Sequence, residues 1–268
     1  MNMKLSSSFF ILLFFYPFLV SCEDHVEKAE FSYVEGSSNG PKFWGRVRPE
    51  WVACSNGTTQ SPIDIIHANA IYDPNLKSLK ARYEPAHATL ANSGHDIGLE
   101  WEKGSAGAIH INGTQFLLEE FHWHSPSEHT LDGYRYDLEM HMVHRSADGR
   151  IAVVAVIYKV GLQDHFLLKV MDEIDDINDE KGSEEKVGLV NPDHAIDLER
   201  ESYYRYFGSL TTPSCDEGVT WTVIKEVKTV SKAQLRMLRA AVEEEFEKNA
   251  RPIQPLNQRQ VYLFKNES

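Results

Sequence analysis

Basic residues are in short supply. Lysine and arginine number 27 against 40 aspartates and glutamates, a formal net charge of −13. That balance argues against nucleic acid or an anionic membrane as partner, because phosphates demand Lys and Arg surfaces. Apolar runs are short too, and none spans a bilayer comfortably. There is no internal repeat, and no Pro/Gly/Ser-rich linker splits the chain. Cysteine is scarce, three residues in all, so at most one bridge can form within the chain. The His-Glu-x-x-His helix of zinc peptidases is missing. What is left, 268 residues at 42% hydrophobic and 25% charged, suits one large or two ordinary globular domains with ample core.

The N-terminus differs in kind from the rest. Lys4 precedes an apolar run from Phe9 to Val20, broken only by Pro17, with small residues at Ser21 and Cys22. The pattern predicts a secretory signal peptide over 1–22 and a single domain over 23–268, an uncleaved anchor being the alternative. Cys54 and Cys215 then remain, and in an oxidising compartment they can pair. Closing so long a loop would stabilise by roughly 4–5 kcal/mol in the chain-entropy model. Sequons at Asn56, Asn112 and Asn266 agree with secretion, although Asn266 lies too near the end to be a good acceptor. Asn112-Gly113 is also a strong two-residue hairpin turn.

Strand patterns dominate the body of the chain. Residues 23–60 read as irregular, pinned to the body by Trp44 and Trp51. Short strands are expected over 79–83, 88–92, 97–101, 108–111 and 114–118. Ile151 to Val160 is apolar throughout, which predicts a central strand buried on both faces. Helical spacing appears over Phe166 to Ile177, and the acid-rich stretch 172–185 reads as a solvated helix end and loop. Strands are expected over 203–210, 219–227 and 260–264. Ser231 to Gln234 fits a capping box, with Leu235, Leu238, Ala241, Val242 and Phe246 on one helix face. The fold expected is mostly β, α+β by count. It is one domain around a large, mainly antiparallel twisted sheet with a few peripheral helices.

The chain is organised around residues 120–144. In an extended chain alternate side chains share a face, so His122 and His124 point one way and Trp123 the other. Glu139 and His141 share a face in a second run. Turn residues at Ser125-Pro126 and Asp132-Gly133 would let the two runs lie side by side as a hairpin. Three imidazoles could then meet at one point, leaving a fourth position open as in catalytic zinc sites. Glu139 is a natural acceptor for the outer nitrogen of His141.

The motifs His122-Trp-His124-Ser-Pro-Ser-Glu128-His, Glu139-Met-His141-Met-Val-His, Gly208-Ser-Leu-Thr-Thr-Pro213 and Gln60-Ser-Pro-Ile-Asp resemble the signature of the α-class carbonic anhydrases, most of all their secreted plant members. The similarity runs from about Phe31 to Phe264. It implies Zn2+ held by His122, His124 and His141, and reversible hydration of carbon dioxide to bicarbonate by zinc-bound hydroxide. Thr211 would accept a hydrogen bond from the hydroxide and donate its own proton to Glu128, while its backbone N–H steadies the developing bicarbonate. His95 matches the proton shuttle, with Tyr33 and Asn92 ordering the water between. Val143, Val153, Leu210, Val219 and Trp221 match the apolar wall for carbon dioxide, with Thr212 beside Thr211 in the substrate pocket. Cys54 and Cys215 match a disulfide that tethers the Thr211 loop.

Several positions depart from the family. Glu120 replaces the usual glutamine bonded to His122, which should make that imidazole a stronger donor to zinc. Ser214 replaces a proline after Pro213, and Ser93 and Gly98 replace asparagines along the water path. The resemblance places the protein in the secretory pathway, extracellular or apoplastic, with onward transport to a plastid left open. The expected partners are carbon dioxide, bicarbonate and water, for a monomer or homodimer with no membrane span once the leader is cut. The alternative is a non-catalytic or weakly active storage or binding relative of the same fold, although the three histidines, Thr211 and Glu128 are all intact.

Overall fold

The computed structural model describes residues 30–177 and 181–266. The expected leader, with Cys22, lies outside the described residues. Two short helices, α1 (Trp44–Val47) and α2 (Ala53–Asn56), stand in the segment expected to be irregular. Strands β1 (Asp64–Ile65), β2 (Ile71–Tyr72), β3 (Lys80–Tyr83) and β4 (Ala86–Asn92) come after them. Next come β5 (Ile97–Trp101), β6 (Gly107–Ile111), β7 (Thr114–His124), β8 (Thr130–Leu131) and β9 (Tyr134–Arg135). After these lie β10 (Leu138–Ser146), β11 (Ile151–Val160), α3 (Met171–Asp176) and β12 (Glu184–Val190). The chain closes with β13 (Tyr203–Ser209), β14 (Glu217–Ile224), β15 (Lys228–Val230), α4 (Lys232–Ala240) and β16 (Tyr262–Phe264).

Thirteen strands make one sheet along the path β12-β4-β5-β7-β10-β11-β14-β13-β16-β2, with β6 joined to β3 and β7, and β15 to β11. The mostly-β expectation holds, and the sheet is mainly but not wholly antiparallel. β11 runs parallel to β14 and β15, and β16 parallel to β2. β11 is central, as its unbroken apolar run requires. Val154, Val156 and Tyr158 enter the larger core on one face, and Val153, Ala155 and Ile157 a smaller core on the other. Trp44 is fully buried, its indole N–H donating to Ser32 O at 3.0 Å. Cys54 and Cys215 form a disulfide across 161 residues of sequence.

Some local expectations are corrected. The stretch from Phe166 is not one helix: a 3-10 turn at Leu167–Lys169 precedes α3, and Val170, fully buried in the core, breaks helical geometry between them. Core packing outweighs the helical pattern there. The acidic stretch 172–185 does not finish as loop, because Glu184 and Glu185 open β12, which pairs with β4 at the sheet edge. Exposed carboxylates on an edge strand also guard it against pairing with another chain. Helix α4 has the expected capping box but ends at Ala240, leaving Ala241, Val242 and Phe246 buried beyond it. The Asn92 amide donates to Ala241 O at 2.6 Å, taking a carbonyl that a longer helix would need. Asp132-Gly133 turns β8 into β9 rather than joining the two histidine strands, with both residues at positive φ. Asn112-Gly113 makes the expected turn between β6 and β7 in the same way.

His144 shows how the sheet interior handles a titratable group. It is buried on β10, its Nε2 2.7 Å from the Tyr83 hydroxyl and its Nδ1 3.3 Å from Ala152 O. Burial drives its pKa down from 6.5 to about 4. A histidine held neutral supports the fold fully above 6.5, and that support is lost as the pH falls towards 4. The contribution is on the order of 3 kcal/mol. Denaturant titrations of His144→Gln should therefore show a shallower loss of stability between these pH values than the parent. Equal slopes would mean that another group controls acid unfolding.

Candidate metal centre

The centre grows out of the pairing of β7 with β10. Alternation puts Glu120, His122 and His124 on one face of β7, while Phe121 and Trp123 enter the larger core on the other. The antiparallel register sets His141 opposite His122 and Glu139 opposite His124. Ring centroids of His122, His124 and His141 lie 4.7–5.1 Å apart, each pair at a steep angle. One nitrogen from each ring falls within 4.8 Å of the others.

Hydrogen bonds decide which nitrogen each ring offers. The Glu120 carboxylate accepts from His122 Nδ1 at 2.8 Å, and Asn249 O accepts from His124 Nδ1 at 2.8 Å. Glu139 Oε1 accepts from His141 Nε2 at 2.7 Å. Nε2 of His122, Nε2 of His124 and Nδ1 of His141 are left facing one another. Ligands about 2.0–2.1 Å from a tetrahedral zinc stand about 3.4 Å apart. The free nitrogens of His122 and His141 are 3.2 Å apart, and His124 Nε2 is buried with no hydrogen-bond partner. The donor set fits zinc, and the outer acceptors fix the tautomers as a metal requires.

A sequence-family model described as eukaryotic-type carbonic anhydrase matches residues 39–265. The chain belongs to the eukaryotic-type carbonic anhydrases. It is 46% identical to alpha carbonic anhydrase 5 of Arabidopsis thaliana over 260 residues, covering 96% of this chain and 94% of that one. Identity to dioscorin DB3L of Dioscorea polystachya is 44% over 261 residues, covering 97% and 96% of the two chains. The solved structure of dioscorin complexed with ascorbate matches with a TM-score of 0.85 at 42% identity, covering 90% of this chain and 100% of that one.

The apolar residues singled out in this carbonic anhydrase family member gather in one place. Val153, Val219 and Trp221 are buried in the smaller core, with Val143 and Leu210 packed against it. The Trp221 ring lies 4.9 Å from that of His141. Glu128 is fully buried, its Oε1 accepting from Arg251 N at 2.8 Å. Its Oε2 has no hydrogen-bond partner and lies 3.7 Å from His124 Nε2, so the expected bond from Thr211 is not closed in this structure. Thr211 is buried on the loop after β13, where Thr212 O accepts from Cys215 N at 2.8 Å.

His95 occupies the turn between β4 and β5, its ring 5.3 Å from Phe31 and 6.2 Å from Phe246. Burial alone would lower its pKa, but Asp96, 3.2 Å away, outweighs that and raises it. Asn92 does not face open water. Its amide donates to Ile177 O and Ala241 O, and its oxygen accepts from Gly94 N. The Tyr33 hydroxyl is buried without a partner. Both Asn56 and Asn112 are exposed.

Sequence reasoning missed a layer behind the histidines. His129 Nδ1 donates to Glu139 Oε1 at 2.6 Å and its Nε2 lies 2.7 Å from the Tyr206 hydroxyl, itself 2.8 Å from Ser61 Oγ. Glu139 therefore holds two imidazoles, and despite its burial their hydrogen bonds and charge keep its pKa well below the usual carboxylate range. Asn249, which accepts from His124, lies 125 residues away in sequence. His129 stood inside a quoted motif, but only the fold brings Tyr206 to it.

In the metal-free protein, burial lowers the pKa of His122 but Glu120 overrides it, so the ring is held up at about 9. A metal must expel that proton, so zinc affinity should weaken by up to about tenfold per pH unit below 9. In Glu120→Gln the proton is released nearer the ordinary 6.5. Chelator competition between pH 7 and 8.5 should give a steep dependence in the parent and a nearly flat one in the variant. Parallel curves would show that Glu120 does not govern the ligand's charge.

Proposed function

We propose that the chain catalyses the reversible hydration of carbon dioxide to bicarbonate and a proton, using zinc held by His122, His124 and His141. The observation that carries this reading is the triad itself, whose outer nitrogens are all committed to acceptors while the inner three converge. A bound zinc ion would supply the Lewis acidity that lets water attack carbon at neutral pH. The residues would do the rest. Val143, Val153, Leu210, Val219 and Trp221 would seat carbon dioxide against an apolar wall beside His141. Glu128 Oε2, buried and free, is the acceptor the Thr211 hydroxyl needs if that hydroxyl is to accept in turn from the reacting water. Thr212 would border the same pocket. His95, in the β4–β5 turn and paired with Asp96, would carry the proton out, and its raised pKa favours the form that holds it.

The similarity to dioscorins supports a second reading, a binding or storage relative with weak or no turnover. The reading adopted also takes the protein through the secretory pathway to the apoplast or a plastid, glycosylated at Asn56 and Asn112, as a monomer or homodimer. The Cys54–Cys215 bridge supports that route, and among the described residues no helix is long and apolar enough to cross a membrane.

Stopped-flow hydration with and without a chelator separates the two readings. Purified protein should carry about one zinc per chain. His124→Ala should lose the metal and fall to near the uncatalysed rate with its fold retained; full activity in that variant would refute the site. Glu120→Gln should move the midpoint of the pH–rate profile downward, because a weaker donor behind His122 leaves the metal more acidic. An unmoved midpoint would remove Glu120 from that role.

A further inference from the structure

A cleft of about 460 Å³ opens between β3, β6, β13 and the segment before β3, and no histidine of the metal centre lines it. Its lining holds Lys77, Lys80, Arg82, His110 and Arg205 and no carboxylate. On a chain of net charge −13 that concentration of base calls for a cause. Lys80 and Arg82 alternate along β3 and are both exposed, and His110 stands directly opposite Lys80 on β6. Placing two bases across a strand pair without an acid between them does nothing for the sheet.

Arg205 is the sharper anomaly. It is only 6% exposed. Nε donates to Thr222 Oγ1 at 3.1 Å, and the guanidinium lies 5.0 Å from the centre of the Tyr203 ring. It forms no ion pair, and its Nη groups make no hydrogen bond among the described residues. Arg205 lines the cleft, so an anion there would give the guanidinium the charge partner it otherwise lacks. Its fork of N–H donors matches the oxygens of a carboxylate or phosphate. The cleft volume is in the range of small-molecule sites, and Leu79, Ile111 and Tyr203 give it apolar walls.

We infer that this cleft binds a small organic anion, its carboxylate or phosphate on Arg205, its body against Leu79, Ile111 and Tyr203, and Lys80 and Arg82 at the rim. The site is separate from the metal centre and stands whether or not the hydration activity is found; Asn112 borders it, so the site is proposed for a chain that carries no glycan there. The acidic remainder of the surface disfavours nucleic acid and anionic membranes as the source of the anion.

Phenyl phosphate and benzoate, titrated into the zinc-loaded full chain, test this by amide chemical shifts. At least one probe should give saturable shifts in residues 76–82, 109–113 and 203–205, and the tighter of the two identifies the head group. Lys80→Glu combined with Arg82→Glu should weaken that binding by at least about tenfold. Arg205→Met should abolish it and Arg205→Lys retain part of it. If Arg205→Met does not fold, the exposed double variant decides. Shifts confined to residues 120–124 and 139–143, no saturable shifts with either probe, or unchanged affinity in the double variant would each overturn the proposal.

Discussion

The register between β7 and β10 is the constraint on which everything else rests. Side chains alternate with a period of two, so a slip of one residue would turn His122 and His124 into the core and Trp123 out of it. Nothing in the imidazoles themselves prevents that slip. Phe121, Trp123, Met140 and Met142 do, because all four are buried in the larger core on the far face. Their desolvation, worth roughly 1.5–3 kcal/mol for each large side chain, holds the strand faces in place. Hydrophobic packing on one side of the sheet thus sets the geometry of a polar site on the other.

Behind the histidines the polar groups form a connected web. Glu139 accepts hydrogen bonds from His141 and His129, and His129 leads through Tyr206 to Ser61. Ser61 and Ser209 exchange hydrogen bonds, and Arg251 donates to Ser61 O and Cys54 O while its own N–H serves Glu128. The web ties the β13 loop, the disulfide and the outer layer of the triad into one unit. In a low-dielectric interior such a network fixes orientation because each member is costly to leave unpaired. The carboxylate that orients one ligand is thereby anchored by elements far from it in sequence.

The same division sets how much was legible from residues alone. Period-two alternation showed that His122 and His124 share a face, and the unbroken apolar run from 151 to 160 marked the central strand. These are local signals, and the fold preserves them. The acceptor for His124 is a backbone oxygen at Asn249, and the partner of His129 is a tyrosine on β13. No local pattern encodes either, because both depend on where distant strands pair. The broken helix at Val170 and the early end of α4 fail for a related reason: tertiary contacts, including the Asn92 amide on Ala241, overrode a correct helical period. The basic cleft was invisible for the same cause, since its residues come from three separate stretches of sequence.

Unpaired polar groups are not spread evenly through the interior. Eight buried side-chain polar atoms lack a hydrogen bond among the described residues. Three of them, on Tyr33, His124 and Glu128, belong to residues singled out around the metal centre, while a fourth, His95 Nδ1, stands 3.2 Å from Asp96. A chain that satisfies Glu139 through three donors, including the His129 backbone, could have satisfied these too. A buried polar group with no partner costs roughly 1–3 kcal/mol, which an ion, a substrate or water at these positions would remove. Arg205 is a different case: it makes one hydrogen bond, to Thr222, and lines the basic cleft, so its remaining donors are open to whatever occupies that cleft. Polar groups left open in this way are where an interior can take up something from outside, and the histidine centre holds several of them.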